Sequence, residues 1–149
     1  MENNVACEKE FKFEIPDGTP VTGFIDRLDI WRTAADVIDY KTQKEAFDER
    51  ELPRDWQARI YNMAVRREFP SVRTVRVSFW VLRHRVQRVV KTAEDALSDE
   101  RELMTVADEI RGCSDPEGRP SGLCPWCPYE KQCPARRMGV KQRWRLKNE

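Results

Sequence analysis

The sequence has one histidine, almost no net charge and no apolar run approaching the length of a membrane span, and each scarcity narrows what the chain can be. The lone histidine, His84, lies between Arg83 and Arg85 and reads as a turn residue rather than a catalyst. Lysine and arginine number 27 against 26 aspartates and glutamates, so global charge says nothing about a polyanionic partner. Without a span, no membrane partner is expected. The N-terminus, MENNVACEKE, is acidic and polar rather than signal-like, which points to a cytoplasmic protein. In that reducing compartment five cysteines argue against a disulfide framework and for metal binding or plain burial.

At 149 residues the chain fits one domain (1–149), with a core over 8–112, a cysteine segment over 113–134 and a basic tail over 135–149. That tail sets Arg136, Arg137, Lys141, Arg143, Arg145 and Lys147 against a single acid. Such an end touches nucleic acid or is merely solvated.

The stretch from Gly23 to Lys41, GFIDRLDIWRTAADVIDYK, organises the rest. Two apolar runs with the look of strands each carry an aspartate, and the second carries a lysine two positions beyond it. Side chains alternate across a strand, so Asp39 and Lys41 share one face, with Ile38 and Tyr40 on the other. Two carboxylates and a lysine at neighbouring strands suit Mg²⁺ or Mn²⁺, which take oxygen ligands and leave room for water and phosphate. An ion there would polarise a scissile phosphate and lower the pKa of an attacking water. The blander possibility is a surface hairpin whose Asp39 and Lys41 only pair as ions.

Around this stretch, Phe11, Phe13 and Ile15 alternate with charged residues, predicting a strand over Glu8–Ile15 that turns at Pro16-Asp17-Gly18 into a partner starting near Val21. Gly23 reads as a bulge or as a point of close DNA approach. Thr42–Pro53 is a charged loop at the mouth of the site. Trp56, Ile60, Met63 and Ala64 then predict a helix over Arg54–Glu68 with that stripe inward, and Gln57 and Tyr61 share another side. Val75 to Leu82 reads as a strand buried on much of both faces, followed by Val86–Val90. Thr92 and Asp95 form a capping box for a helix whose apolar side is Ala96, Leu103, Ala107 and Ile110.

A turn-rich loop leads to Cys124-Pro-Trp-Cys127 and then Cys133-Pro. Thiolates at this spacing can wrap zinc or an iron–sulfur cluster, or they are simply reduced and buried. Three ligands leave a fourth to be found, with Cys113 nearest in sequence and Cys7 at the other end of the chain.

Taken together, GFIDRLD, VIDYKT, QARIY and CPWCPYEKQCP resemble the RecB-like branch of the PD-(D/E)XK nuclease superfamily, which includes nuclease domains of RecB and AddB, CRISPR-adaptation nucleases and phage exonucleases. The resemblance runs from about Glu8 to Cys133. It implies a restriction-endonuclease-like α/β fold, a mixed central sheet flanked by helices. It implies Asp26 and Asp39 as metal ligands with the Tyr40 carbonyl added, Lys41 as the catalytic lysine, and Gln57 and Tyr61 as residues that hold DNA and order the site. Several members bind a four-iron, four-sulfur cluster through one early cysteine and three late ones, and Cys124, Cys127 and Cys133 match the late three. Members usually begin with a helical segment carrying a histidine and the first of these cysteines; here the first strand comes almost at once, as expected of a shortened version or an incomplete one.

The function that follows is a metal-dependent deoxyribonuclease acting on DNA ends or single strands, in repair, recombination, phage replication or CRISPR adaptation, with a helicase, recombination or adaptation protein as partner. The alternatives are a non-catalytic DNA-binding or assembly module that keeps the fold and cluster, and a zinc-stabilised adaptor. Three converging charges that must be desolvated favour the enzyme, since a silent module gains little stability from them.

Overall fold

In the computed structural model, residues 4–114, 118–133 and 135 are described. The chain divides into two compact units, Met1–Glu109 and Ile110–Glu149. The basic tail expected over 135–149 lies, beyond Ala135, outside the described residues.

The first unit is built on a five-stranded sheet in sequential order: β1 (Asn4–Glu14), β2 (Pro20–Trp31), β3 (Ala34–Lys41), β4 (Thr74–Val81) and β5 (Val86–Lys91). Neighbours are antiparallel except β3 and β4, which run parallel. Parallel strands need a crossover, and α1 (Trp56–Glu68) supplies it; α2 (Ala93–Gly112) follows β5. This is the mixed sheet with helices that the motifs implied.

Alternation in β4 turns Val75, Val77 and Phe79 to one side, where each is fully buried beside Val37 of β3. Onto that side α1 lays Ala58, Tyr61, Ala64 and Val65. Each large apolar side chain so buried contributes about 1.5–3 kcal/mol. Asp55 caps α1, its carboxylate accepting the Ala58 N–H at 3.1 Å. Proline at position 70 stops the helix after Phe69, whose N–H still reaches the Val65 carbonyl at 2.8 Å.

Several sequence readings need correction. Trp56 is not core: it is half-buried, with the Arg59 guanidinium stacked 3.8 Å from its ring centre. The rest of the expected stripe does face inward, Met63 and Ala64 buried and Ile60 packed against the core, and Ala58, Tyr61 and Val65 widen it. In β4 only the valine and phenylalanine side is fully covered, while Arg76 and Trp80 on the other side, and Leu82 beyond the strand, are exposed. In α2 Ala107 is buried but Ile110 is 71% exposed, and the inward position between Ala96 and Leu103 belongs to Asp99. The charged loop over 42–53 is pinned by its two large apolar residues: Phe47 packs on Phe79 with ring centres 4.9 Å apart, and Leu52 is buried.

Gly23 is neither a bulge nor an open approach. It pairs in register with Phe11, and a Cβ there would lie 2.6 Å from the Phe11 ring. The missing side chain makes room for that ring, which meets Tyr61 edge-on at 6.1 Å.

Candidate active site

Where Asp26 sits, both of its strand's ladders are interrupted. Ile25 and Leu28 are three apart yet both belong to the same core, which strict alternation forbids. The alternation is reset between them, opposite Glu8, whose φ of 49° is left-handed and costly for a residue with a Cβ. Cys7↔Arg27 and Lys9↔Ile25 keep register on either side. On the other flank the β2–β3 ladder runs from Trp31↔Ala34 to Arg27↔Ile38 and stops one residue short of Asp26 and Asp39. The Asp26 carboxylate then does what a ladder carbonyl would have done, accepting the Tyr40 N–H at 2.8 Å through Oδ2.

Asp39 is buried on the core side of β3. Its Oδ1 accepts the Tyr61 hydroxyl at 2.9 Å and, more weakly, Gln57 Nε2 at 3.4 Å. Its Oδ2 is buried without a hydrogen-bond donor, although Lys41 Nζ stands at ion-pair distance, 2.7 Å. The two charges pair, but in a direction poor for a hydrogen bond. Lys41 Nζ is fixed a second time by donating to Gln57 Oε1 at 2.6 Å. Gln57 and Tyr61, one helical turn apart, also meet each other at 3.3 Å.

The structure therefore brings Asp39, Lys41, Gln57 and Tyr61 into one network, with Asp26 joined to it through the Tyr40 main chain. The Tyr40 ring leaves the site and packs edge-on against Trp80 at 5.7 Å, so only its backbone belongs here. Burial, and next the negative charge of Asp39, push the Tyr61 hydroxyl well above the usual tyrosine range. Tyr61 thus stays a donor, and it orders Asp39 so that Oδ2 is the oxygen left to act.

Those donors fit a hard divalent cation. A buried carboxylate oxygen with a cation beside it but no hydrogen bond, and a second carboxylate on the adjoining strand, are oxygen ligands of the kind magnesium or manganese accepts. Among the described residues no group of three or more His, Cys, Asp or Glu side chains is gathered to hold an ion.

In the second unit Cys124, Cys127 and Cys133 line one cavity together with Arg119, Pro120, Glu130 and Ala135. The Ser121 N–H donates to Cys124 Sγ at 3.2 Å. Cys113 and Cys7 are exposed, at the end of α2 and in β1. His84 lies in the turn after β4, its ring nitrogen against the Lys44 carbonyl.

Sequence reasoning missed a second polar centre. Asp99 pairs with Arg59 at 2.8 Å and Lys91 at 3.0 Å, all three buried. The signal was an acid on the apolar stripe of α2, three residues after Ala96 and four before Leu103.

An antiparallel strand pair thus opens at two aspartates, with a lysine two residues on and a Gln/Tyr helix closing over it. The family model of the PD-(D/E)XK nuclease superfamily matches residues 2–134, and the chain belongs to that superfamily. No curated protein matches the sequence. Among solved structures, one described as "Crystal structure of SSO0001" superposes with a TM-score of 0.54 at 17% identity, covering 89% of this chain and 61% of that one. At that identity the likeness speaks for the fold alone. The present chain spans about 61% of that chain's length. No helix among the described residues is long and apolar enough to cross a membrane.

Proposed function

We propose that the chain is a magnesium- or manganese-dependent deoxyribonuclease that cleaves DNA at ends or in single strands. Membership of a nuclease superfamily supports hydrolysis of phosphodiesters. The observation that carries the reading to these residues is the single network of Asp39, Lys41, Gln57 and Tyr61, with Asp26 tied to it. Asp26, Asp39 and the Tyr40 carbonyl would hold the ion, which when bound supplies Lewis acidity at phosphate and an acidified water. Lys41, held by Gln57 and Asp39, places a positive charge where negative charge develops in the transition state. Gln57 sets the position of that ammonium, and Tyr61 fixes the Asp39 carboxylate.

The cysteine segment, on this reading, holds a four-iron, four-sulfur cluster through Cys124, Cys127, Cys133 and a fourth thiolate, Cys113 or Cys7, with zinc as the competing occupant. A backbone N–H directed at Cys124 Sγ suits a thiolate, and iron–sulfur clusters are tuned by such bonds. Brown protein from anaerobic purification supports iron and sulfur; colourless protein with one stoichiometric zinc removes it.

The test of the catalytic reading is digestion of end-labelled single- and double-stranded DNA with Mg²⁺ or Mn²⁺. Lys41→Ala is expected to lower cleavage by about 10²–10³-fold or more, while its melting point still rises with added metal. Asp39→Ala loses both. Cleavage that survives both substitutions unchanged removes the assignment, and DNA binding without cleavage points to the non-catalytic module.

A further inference from the structure

The inward side of β5 is polar where a core strand has least reason to be. Gln87, Val89 and Lys91 alternate onto it, and the two polar members are only 3% and 4% exposed. Burying an amide or an ammonium is unfavourable unless its lost bonds to water are replaced. Both side chains reach the segment 42–55, which leads from Lys41 to α1. Gln87 accepts the Phe47 N–H through Oε1 and donates through Nε2 to the Phe47 carbonyl, each at 2.9 Å. Lys91 Nζ donates to the Pro53 carbonyl at 3.2 Å. From the turn before β5, the Arg85 guanidinium donates to Glu49 at 2.7 Å. The Gln87 amide thus stands in for a ladder neighbour, holding both main-chain groups of a residue that belongs to no strand.

Phe47 touches the candidate active site through one ring. Asp39, Phe79 and Gln87 occupy a single row across β3, β4 and β5. The Phe47 ring packs on Phe79, and Lys41 Nζ stands 5.8 Å from the centre of that same Phe79 ring. Along the chain the segment runs into α1, where Gln57 accepts the Lys41 ammonium at 2.6 Å. Both ends of the segment therefore meet at Lys41, one through the chain and the other through Gln57, and Gln87 fastens the middle. If the middle moves, Phe47 leaves Phe79 and the first turn of α1 shifts with it. The ammonium then keeps only Asp39 Oδ2, an oxygen of the proposed metal ligand.

We propose that Gln87 is a positioning residue of this site: it fixes the path of segment 42–55 so that Gln57 holds the Lys41 ammonium where it acts. Gln87 itself touches neither substrate nor metal. Such a residue is felt in turnover more than in binding, because a displacement of about 1 Å at the reacting groups costs up to about 10²-fold in rate. The inference rests on the nuclease reading in taking Lys41 as the catalytic cation, whereas the linkage from Gln87 to Lys41 does not require it.

The experiment compares the full wild-type chain with Gln87→Met, Gln57→Ala and the double variant, at a temperature where unfolding curves show each one folded. Two quantities are measured: kcat and KM on end-labelled single-stranded DNA with Mn²⁺, and the rate at which acetic anhydride labels Lys41 relative to the exposed Lys12, by mass spectrometry. Gln87→Met keeps the length of the side chain and removes its amide. It is expected to lower kcat about 10- to 10²-fold with KM within about twofold, and to speed the labelling of Lys41 severalfold while that of Lys12 stays unchanged. In the Gln57→Ala background it should lower kcat by no more than about twofold further, since residues that act through one another are not additive. Losses that simply multiply overturn the inference, as do unchanged kcat and labelling in folded Gln87→Met, which would leave Gln87 a latch for stability alone. If Gln87→Met fails to fold, Phe47→Ala decides: it keeps the main-chain bonds to Gln87 and takes the ring off Phe79, so the same changes support the linkage and their absence overturns it. Wild type that never cleaves removes the nuclease reading, and the labelling of Lys41 then decides this inference by itself. Cleavage by wild type with kcat and labelling unaltered in the variants does the reverse.

Discussion

Val37, Val75, Val77 and Phe79 in the first unit have no exposed surface at all, whereas in the second unit Leu123, Trp126 and Tyr129 are each more than two-thirds exposed and the half-buried positions include Cys124 and Cys133. The first unit encloses an apolar core between one side of its sheet and α1. Residues 118–133 bury no comparable core, and segments this small usually need a further anchor beyond apolar burial. The contrast is between a unit held by solvent exclusion and a segment whose proposed anchor is its cysteines.

The sharpest way to break this contrast is to remove a thiol. With the cluster in place as proposed, Cys124→Ser is expected to abolish local order over residues 118–133, read as protease cleavage there, because metal-site binding energy is folding energy in such segments. The melting of the first unit should barely move. If both units unfold together, the first is not independent. Within the first unit the largest loss should come from Asp99→Ala. That change leaves Arg59 and Lys91 buried beside each other without their shared anion, with an expected cost of about 3–5 kcal/mol by urea unfolding. The second unit's resistance to proteolysis should not change.

How much of this was legible in the sequence follows the same division. Strands and helices of the first unit could be read because burial on one side imposes periods of two and 3.6 on the residues. The convergence of Asp39, Lys41, Gln57 and Tyr61 could be anticipated from spacing within each element plus the family resemblance. What could not be read were relations across the sheet. Gly23 is explained only by Phe11, which lies on another strand, and the reset of alternation at Asp26 depends on the left-handed backbone of Glu8. Helical spacing puts Trp56 with the core residues but does not show that Arg59, three residues on, covers its ring. In the second unit the cysteine spacing was plain, but spacing alone does not say which side the rings take.

Gly23→Ala sharpens the account of the first unit at intermediate size. The added methyl would meet the Phe11 ring at 2.6 Å, so the ring must shift, at a cost of about 1–3 kcal/mol. Because Phe11 packs edge-on against Tyr61, the displacement should also reach the Tyr61 hydroxyl that holds Asp39. A loss of stability with a parallel fall in metal-induced stabilisation is the expected result. Full stability would mean that Phe11 has room to move and that Gly23 has another role.

The smallest effect concerns the cap that opens α2. Thr92 and Asp95 bond reciprocally, the Asp95 N–H donating to Thr92 Oγ1 at 3.2 Å and the Thr92 N–H donating to Asp95 Oδ2 at 2.6 Å. Burial alone would raise the Asp95 pKa, but the Thr92 backbone and hydroxyl donors, with Lys91 and Arg66 nearby, hold it below the usual carboxylate range. A carboxyl depressed in the folded state is protonated more readily when unfolded. Its contribution is therefore fully present above the unfolded value of about 3.9 and fades as the pH falls through the lower folded value. Asp95→Asn is expected to cost about 1 kcal/mol at neutral pH, within the range for a helix cap. Thermal unfolding at pH 7 and again near pH 2.5 should show the gap between wild type and variant narrowing on acidification. A gap that stays constant would mean that Asp95 acts through shape alone, and one that widens would contradict the direction of its shift.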